Sequence, residues 1–197
     1  TGFSCGLAAL RKNGMWGFVN TSGELMIPFK FEDARGFSED LAAVKLKGRA
    51  LEFSSAELRA EKEIVLAAVK ENDWAFAHAS DELRADKDFV LQVVSLKGRA
   101  LEFASDELKA DPEVVLAAAL EYEWAFDHAA IELISNREFI LAAVKLHGFA
   151  LEYASEDLRS DREIVLAAVK QNAEALVYAS SDLRSDRELR LSAKLGN

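Results

Sequence analysis

The sequence predicts a mainly α-helical protein, in which a solenoid-like stack of helical repeats follows a small antiparallel β meander. Three observations support this fold class. From Leu41 onward, the chain of 197 residues repeats itself every 25 residues. Each repeat carries an acidic helix-start signal before an apolar stretch. The first 40 residues lack this period and are instead rich in glycine and turn signals. We therefore predict a β meander over residues 1–40 and a helical repeat domain over residues 41–197.

The repeats share leucine at the first and eighteenth positions and alanine at the tenth. A pair of short helices cannot bury its own apolar face, whereas stacked pairs can, so this periodicity predicts a stack. Near the end, Arg190 replaces the usual Val or Ile, which indicates a terminal cap. The six repeats begin at Leu41, Leu66, Leu91, Leu116, Leu141 and Leu166.

The first helix of each repeat is predicted to span about ten residues. Asp161 provides an N-cap acceptor and Glu163 places acidic charge in the first turn. Pro112 follows Asp111 in the same register, and proline is tolerated at the first helical position but costly further in. We expect the helix to end near Gly48, Gly98 or Gly148, acting as left-handed caps.

The second helix of each repeat is predicted to be short. In the fifth repeat, Leu151, Ala154 and Leu158 lie on one face, and Glu152 points away. Ser155 is expected to cap one further turn that carries Leu158 inward.

Residues 1–40 predict three short strands. Asn13-Gly14 is a strong hairpin signal, and Thr21-Ser22-Gly23 is a second turn signal. The apolar runs around these turns have strand length, and Pro28 follows the last of them. The predicted strands are Leu7–Arg11, Met15–Val19 and Glu24–Ile27.

Residues 3–44 resemble the WG beta repeat. Met15 stands where this family has lysine, and Asp40 stands where it has the closing glycine. The resemblance implies a small β repeat and no catalytic residue. The matching motifs are Gly6-Leu7-Ala8, Asn13-Gly14-Met15-Trp16-Gly17, Gly23, Ile27-Pro28 and Phe37-Ser38-Glu39.

Residues 41–190 resemble a family of short α-helical repeats described only as a domain of unknown function. The family pattern is close to LAAVKxNGxALxYASxELRxDREVV, and the fifth repeat reads LAAVKLHGFALEYASEDLRSDREIV. This resemblance also implies no catalytic residue.

The segment Leu41–Lys45 belongs to both patterns. Leu41 aligns with Leu7 of the strand repeat and with Leu66 of the helical repeat. The residue preferences of Leu-Ala-Ala-Val-Lys favour a helix, and Ser38 could cap it. The alternative is a strand that extends the meander.

Composition excludes several classes of function. The net charge of −10 disfavours binding to nucleic acid and to anionic lipid, since both need a basic surface. No apolar run approaches the length of a membrane span. The single cysteine, Cys5, excludes an internal disulfide. We expect a soluble protein, cytoplasmic or organellar rather than secreted. The start at Thr1 is compatible with a trimmed chain or a part of a longer product.

Residues suited to catalysis are scarce, and we predict no catalytic, metal or cofactor site. His78 and His128 occupy the thirteenth position, where other repeats have Phe or Tyr, so we expect packed core histidines. His147 lies in a predicted turn and is expected to be solvated. The three histidines lack metal-ligand spacing. Acidic pairs recur in the repeats, which favours solvated helix starts over acid–base chemistry: Asp81-Glu82, Asp106-Glu107 and Glu156-Asp157.

The variable positions of a repeat protein are free to contact a partner. The seventh and ninth positions flank the turn between the two helices, on one edge of the stack, and are rich in Trp and Arg, which are enriched in interface hot spots. The alternative is that Trp74 and Trp124 fill the space left where Asp73 and Glu123 replace glycine. The candidate partner edge consists of Arg49, Trp74, Arg99, Trp124 and Phe149 at the ninth position and Lys47, Lys97 and Tyr122 at the seventh.

The predicted function is a non-catalytic scaffold or linker that binds protein partners of basic or mixed charge. One form of this function is a structural subunit of a large multi-protein assembly. The alternative is a ligand-binding or regulatory module that belongs to a larger enzyme. An enzyme in its own right is disfavoured, because the repeats spread titratable groups evenly instead of converging them in a pocket.

Overall fold

The computed structural model describes the backbone of residues 7–20, 25–31, 51–52, 54 and 56–195. The chain divides into two compact parts, the N-terminal part Thr1–Phe89 and the C-terminal part Val90–Asn197. The predicted domain boundary at residue 40 and the ambiguous segment Leu41–Lys45 lie outside the described residues. So do Lys47 and Arg49 of the candidate partner edge.

The N-terminal strands form the predicted antiparallel meander. They are β1 (Leu7–Lys12), β2 (Met15–Asn20) and β3 (Leu25–Phe31), and they lie side by side in that order. Leu7 pairs with Asn20 and Lys12 pairs with Met15, which leaves Asn13 and Gly14 as a two-residue turn. Both turn residues have positive φ, 53° and 84°, as a type I′ hairpin turn requires.

The prediction that the third strand ends before Pro28 is wrong. The strand continues to Phe31, and its register against β2 shifts between the pairs Phe18–Ile27 and Trp16–Phe31. Proline lacks the N–H that a central strand must donate, but an edge strand with an irregular register tolerates it.

From the second repeat onward, the long helix has the predicted length of about ten residues. Asp161 caps its helix by accepting hydrogen bonds from the N–H groups of Glu163 at 2.9 Å and Ile164 at 3.2 Å. Asp111 caps another helix in the same way, and Pro112 is its first residue, as predicted. The long helices are Lys62–Glu71, Lys87–Leu96, Pro112–Glu121, Arg137–Leu146, Arg162–Gln171 and Arg187–Leu195.

In the second to sixth repeats, the second helix is a 3-10 helix of six residues, followed by a separate short turn. Ser80 caps one such turn by accepting from the N–H of Leu83 at 3.4 Å, and Leu83 is buried. In the fifth repeat, the turn is the 3-10 helix Leu158–Ser160, and Leu158 is only half-buried. The 3-10 helices are Asp73–His78, Gly98–Phe103, Glu123–His128, Gly148–Tyr153 and Ala173–Tyr178. The short α-helices are Ala56–Arg59, Asp81–Ala85, Asp106–Lys109, Ile131–Ile134 and Ser181–Ser185.

The core of each repeat lies between its long helix and its 3-10 helix. Ile164, Val165, Ala168 and Val169 of one long helix are buried, whereas Leu166 in the same helix is half-buried. Burial of one such side chain contributes about 1.5–3 kcal/mol, so the core is the main source of stability.

Successive repeats are joined by a backbone hydrogen bond that recurs in each part. In the N-terminal part, Ser80 donates its N–H to the carbonyl of Arg59 at 2.9 Å. In the C-terminal part, Ala130 donates to Lys109, and Ser155 donates to Ile134, both at 2.9 Å. The bond joins equivalent positions each time, so it holds neighbouring repeats in one register.

The expected left-handed glycine caps are absent from the described repeats. Among the described residues, positive φ occurs at Asn13 and Gly14 in the hairpin, and not at Gly98 or Gly148. These two glycines begin 3-10 helices and approach the next long helix closely. A Cβ on Gly98 would lie 2.2 Å from the carbonyl oxygen of Ala118. Glycine is needed there for lack of space, not for its backbone freedom.

Candidate functional site

A groove of about 180 Å³ opens on the C-terminal part, between the 3-10 helices of the fourth, fifth and sixth repeats. Five aromatic side chains line this groove, and we call it the aromatic groove. They are Trp124, Phe126, Phe149, Tyr153 and Tyr178.

The aromatic rings pack against one another across the repeats. The Phe126 and Tyr153 ring centroids lie 5.7 Å apart, and the Phe149 and Tyr178 centroids lie 6.0 Å apart in a T-shaped arrangement. Such geometries are the favoured ones for aromatic pairs. Trp124 is the outermost ring, with 52% of its surface exposed. The groove is therefore a supported aromatic surface with one ring standing partly in solvent.

Local geometry places charged groups beside these rings. A 3-10 helix has three residues per turn, so Phe149 and Glu152 share one face and both line the groove. Glu123 lines the groove as well, and both glutamates are exposed.

Two carboxylates raise the pKa of the tyrosines that line the groove. Burial, the charge of Asp127 and a hydrogen bond with Asp127 raise the pKa of Tyr153. A hydrogen bond with Glu152 and burial raise the pKa of Tyr178. Both hydroxyls therefore stay protonated at neutral pH. In both pairs, the acid comes from one repeat and the tyrosine from the next.

His147 is attached to the preceding repeat, contrary to the expectation of a solvated side chain. It is half-buried, and its Nε2–H donates to the carbonyl oxygen of Ala119 at 2.7 Å. The expectation was wrong because the turn that holds His147 faces a neighbouring long helix. His78 and His128 are half-buried, so the prediction that they are core residues is only partly correct. In the described part of the chain, no cluster of three or more His, Cys, Asp and Glu residues could hold a metal ion.

The structure brings together two members of the candidate partner edge, Trp124 and Phe149, in the aromatic groove. Lys97 and Arg99 are exposed, and Tyr122 is half-buried at the end of its long helix. None of these three lines the groove.

The exposure of the tryptophans bears on the alternative that they fill space left by a missing glycine. Trp74 in the N-terminal part is 47% exposed and Trp124 is 52% exposed. A side chain that filled a buried space would be largely covered, so the observed exposure does not fit that alternative.

Sequence reasoning missed Tyr153, Tyr178 and Glu152 as groove residues. The thirteenth position was interpreted as core, whereas it is half-buried and faces the groove in the fifth and sixth repeats. The available signal was the change at this position from Phe or His to Tyr after the fourth repeat. Tyrosine differs from phenylalanine by a hydroxyl group, which needs a hydrogen-bond partner when it is buried. The change to Tyr therefore indicates a polar neighbour instead of a fully apolar core.

The acidic pairs at the helix starts are exposed, as expected. Asp81 and Glu82 occupy the first turn of their short helix, and a hydrogen bond from the backbone N–H lowers the pKa of Glu82. In the part of the chain that the structure describes, no helix is both long enough and apolar enough to cross a membrane.

Comparison with protein-family models finds two families. The model described as WG containing repeat matches residues 16–49. The model described as Domain of unknown function (DUF4116) matches residues 41–84, 86–134 and 136–184, well over half of the chain. These matches confirm both resemblances, and they overlap over residues 41–49, where the ambiguous segment lies. Comparisons with curated proteins and with solved structures found no match.

Each match to the helical family covers about two of the 25-residue repeats. The sequence has the same two-repeat period, because glycine occupies the eighth position in every second repeat. These glycines are Gly48, Gly98 and Gly148, in the first, third and fifth repeats. The family unit is thus a pair of repeats, and the chain belongs to the family described as Domain of unknown function (DUF4116), with a WG containing repeat before it.

Proposed function

We propose that this chain is a non-catalytic interaction module, a scaffold or linker, that binds a partner protein through the aromatic groove. The observation that carries the proposal is the half-exposed Trp124 above a wall of packed aromatic rings. Tryptophan and tyrosine are enriched in interface hot spots, and removing such a ring from water is strongly favourable.

The rigidity of the groove supports the same function. His147 is held by a backbone carbonyl, and the rings of Tyr153 and Tyr178 pack against those of Phe126 and Phe149. A surface that is already ordered loses little side-chain entropy when a partner binds, so more of the contact energy appears as affinity.

The size of the groove favours insertion of a side chain over capture of a small-molecule ligand. Its volume of about 180 Å³ lies below the roughly 300–1,000 Å³ of typical ligand pockets.

The test compares the wild-type chain with variants in extract from the native source. Size-exclusion under gentle conditions, with mass spectrometry, locates the chain and the proteins that elute with it. We expect elution well above 21.7 kDa with fixed companions. Trp124→Ala, alone and with Phe149→Ala, should abolish the association without lowering the melting temperature of the isolated chain enough to unfold it.

Ile131→Ala is the control, because it removes an exposed large apolar side chain that neither lines the groove nor belongs to the candidate partner edge. It should leave the association unchanged. Retention of the companions by the Trp124→Ala, Phe149→Ala chain would contradict the proposal, and so would elution of the wild-type chain alone near its own mass. A permanent structural role predicts companions in constant ratio, whereas a transient adaptor predicts companions whose amounts vary with the conditions.

A further inference from the structure

We infer that the aromatic groove receives a lysine or arginine side chain from a basic segment of the partner protein. The inference rests on the proposed function and specifies the chemistry of the partner. It follows from the combination of aromatic faces and carboxylates in one small concave site.

Aromatic faces attract cations. The ring faces of Trp, Tyr and Phe carry negative electrostatic potential, and ammonium and guanidinium groups bind against them most strongly when the site is partly desolvated. Trp124 presents the most exposed ring, and Phe149 and Tyr178 provide two rings at right angles. Rings at different orientations can contact a long cationic side chain from more than one direction.

The charges at the groove have the sign that a cation needs. Glu123 and Glu152 line it, and the described residues that line it include no lysine or arginine. His147, the remaining basic residue there, already donates its Nε2–H to Ala119. The net charge of the whole chain, −10, also favours the approach of a basic partner.

Other occupants fit less well. An apolar anchor would cover the rings but would also remove Glu123 and Glu152 from water without supplying an opposite charge, which is costly. An acidic anchor would be repelled by the same two carboxylates. A cationic side chain satisfies both features, because its methylene stem can contact the rings while its charged end meets a carboxylate.

The volume agrees with a single long side chain. The groove has a volume of about 180 Å³. This space suits one lysine or arginine side chain and is too small for a folded element.

The experiment titrates the full chain, labelled for NMR, with four synthetic peptides. Each is a nine-residue Gly-Ser peptide with one central residue: lysine, arginine, leucine or glutamate. We expect the lysine and arginine peptides to shift the Trp124 indole resonance, with affinity at least about five-fold higher than the leucine peptide. The glutamate peptide should not bind.

Three variants sharpen the test. Glu152→Gln keeps the shape of the side chain and its ability to accept from Tyr178, but it removes the charge. We expect this variant and Glu123→Gln to lower the affinity for the lysine peptide several-fold, and Trp124→Ala to abolish binding of that peptide. The control substitution Ile131→Ala, outside the groove, should leave peptide binding unchanged, and the melting temperature of each variant checks its fold.

Two results would overturn the inference. One is equal or tighter binding of the leucine peptide, which would make the groove an apolar anchor site and leave the proposed interaction function standing. The other is lysine-peptide binding that Glu152→Gln and Glu123→Gln do not weaken, or that never perturbs Trp124. The association in native extract tests the proposed function by itself, so failure of that function is recognised separately.

Discussion

Neighbouring repeats meet in two different ways in the C-terminal part. Where the third repeat meets the fourth, Gly98 lies against Ala118 and Tyr122, and where the fifth meets the sixth, Gly148 lies against Ala168 and Asn172. We call these the closed junctions. Where the fourth repeat meets the fifth, Glu123 occupies the glycine position and the aromatic groove opens, so we call this the open junction. In the C-terminal part, the junction between the fourth and fifth repeats therefore differs from the two glycine junctions on either side of it.

A polar side chain completes the closed junction between the fifth and sixth repeats. Gln171 accepts from the N–H of Gly148 at 2.6 Å and donates its Nε2–H to the carbonyl of Leu146 at 3.2 Å. The equivalent residue in the fourth repeat is Glu121, whereas the third and fifth repeats have Leu96 and Leu146 there. At the Gly148 junction, the close approach leaves backbone groups that need a partner, and Gln171 of the next repeat provides it.

Substitution of the closed-junction glycine should have the largest effect on stability. Gly98→Ala places a Cβ 2.2 Å from a backbone oxygen, so the two repeats must separate. We expect a loss of about 2–3 kcal/mol in the free energy of unfolding, as for other overpacked cores. Chemical denaturation of the full chain measures it.

The matched control is the opposite substitution, alanine to glycine, at the equivalent position of the sixth repeat. Ala173→Gly removes a Cβ that is already accommodated, so the loss should be at most about 1 kcal/mol and come from backbone entropy. If Gly98→Ala cost no more than Ala173→Gly, glycine would not be the cause of the closed junction.

Changes at Gln171 should have an intermediate effect. Gln171→Ala leaves the part-buried N–H of Gly148 without its acceptor, and we expect a loss of about 1–2 kcal/mol. Gln171→Glu keeps an acceptor and loses only the donor to Leu146, so its loss should be smaller. Denaturation of both variants checks the order, and equal losses would show that the acceptor role is unimportant.

The helix caps should have the smallest effect on the free energy of unfolding. The effect should appear as a dependence of that free energy on pH. Asp161 caps the long helix of the sixth repeat, whereas the uncharged Asn136 caps that of the fifth. Burial opposes ionisation of Asp161, but hydrogen bonds from Arg137 and from the N–H groups of Ile164 and Glu163 outweigh it and lower its pKa.

A folded-state pKa below the unfolded value means that ionised Asp161 stabilises the fold above about pH 4. This contribution is lost as the pH falls from there through the lowered pKa. Asp161→Asn keeps a capping side chain like Asn136 and removes the titration. Urea denaturation at pH 7 and pH 3 should therefore show a smaller acid loss for Asp161→Asn than for the wild-type chain. If both chains lost the same stability between pH 7 and pH 3, ionised Asp161 would not be the source of this pH dependence.

The aromatic groove could be predicted only in part. Trp124 and Phe149 were found because they break the pattern at a variable position. Tyr153 and Tyr178 were assigned to the core, because an aromatic side chain recurs at this position, and the change to Tyr in the last two repeats does not by itself show which neighbour the ring faces. Their carboxylate partners belong to the preceding repeats, beyond the range of local sequence signals.

The sequence by itself determined the features that depend on residues a few positions apart. These are the period of the repeats, the ten-residue helices, the caps at Asp111 and Asp161, and the hairpin at Asn13-Gly14. Each results from hydrogen bonds or backbone preferences within about one helical turn. Three features depend on tertiary structure alone. They are the need for glycine at position 98, the continuation of the third strand through Pro28, and the position of the groove. Those depend on how closely residues distant in sequence approach one another, which is set by the packing of whole elements.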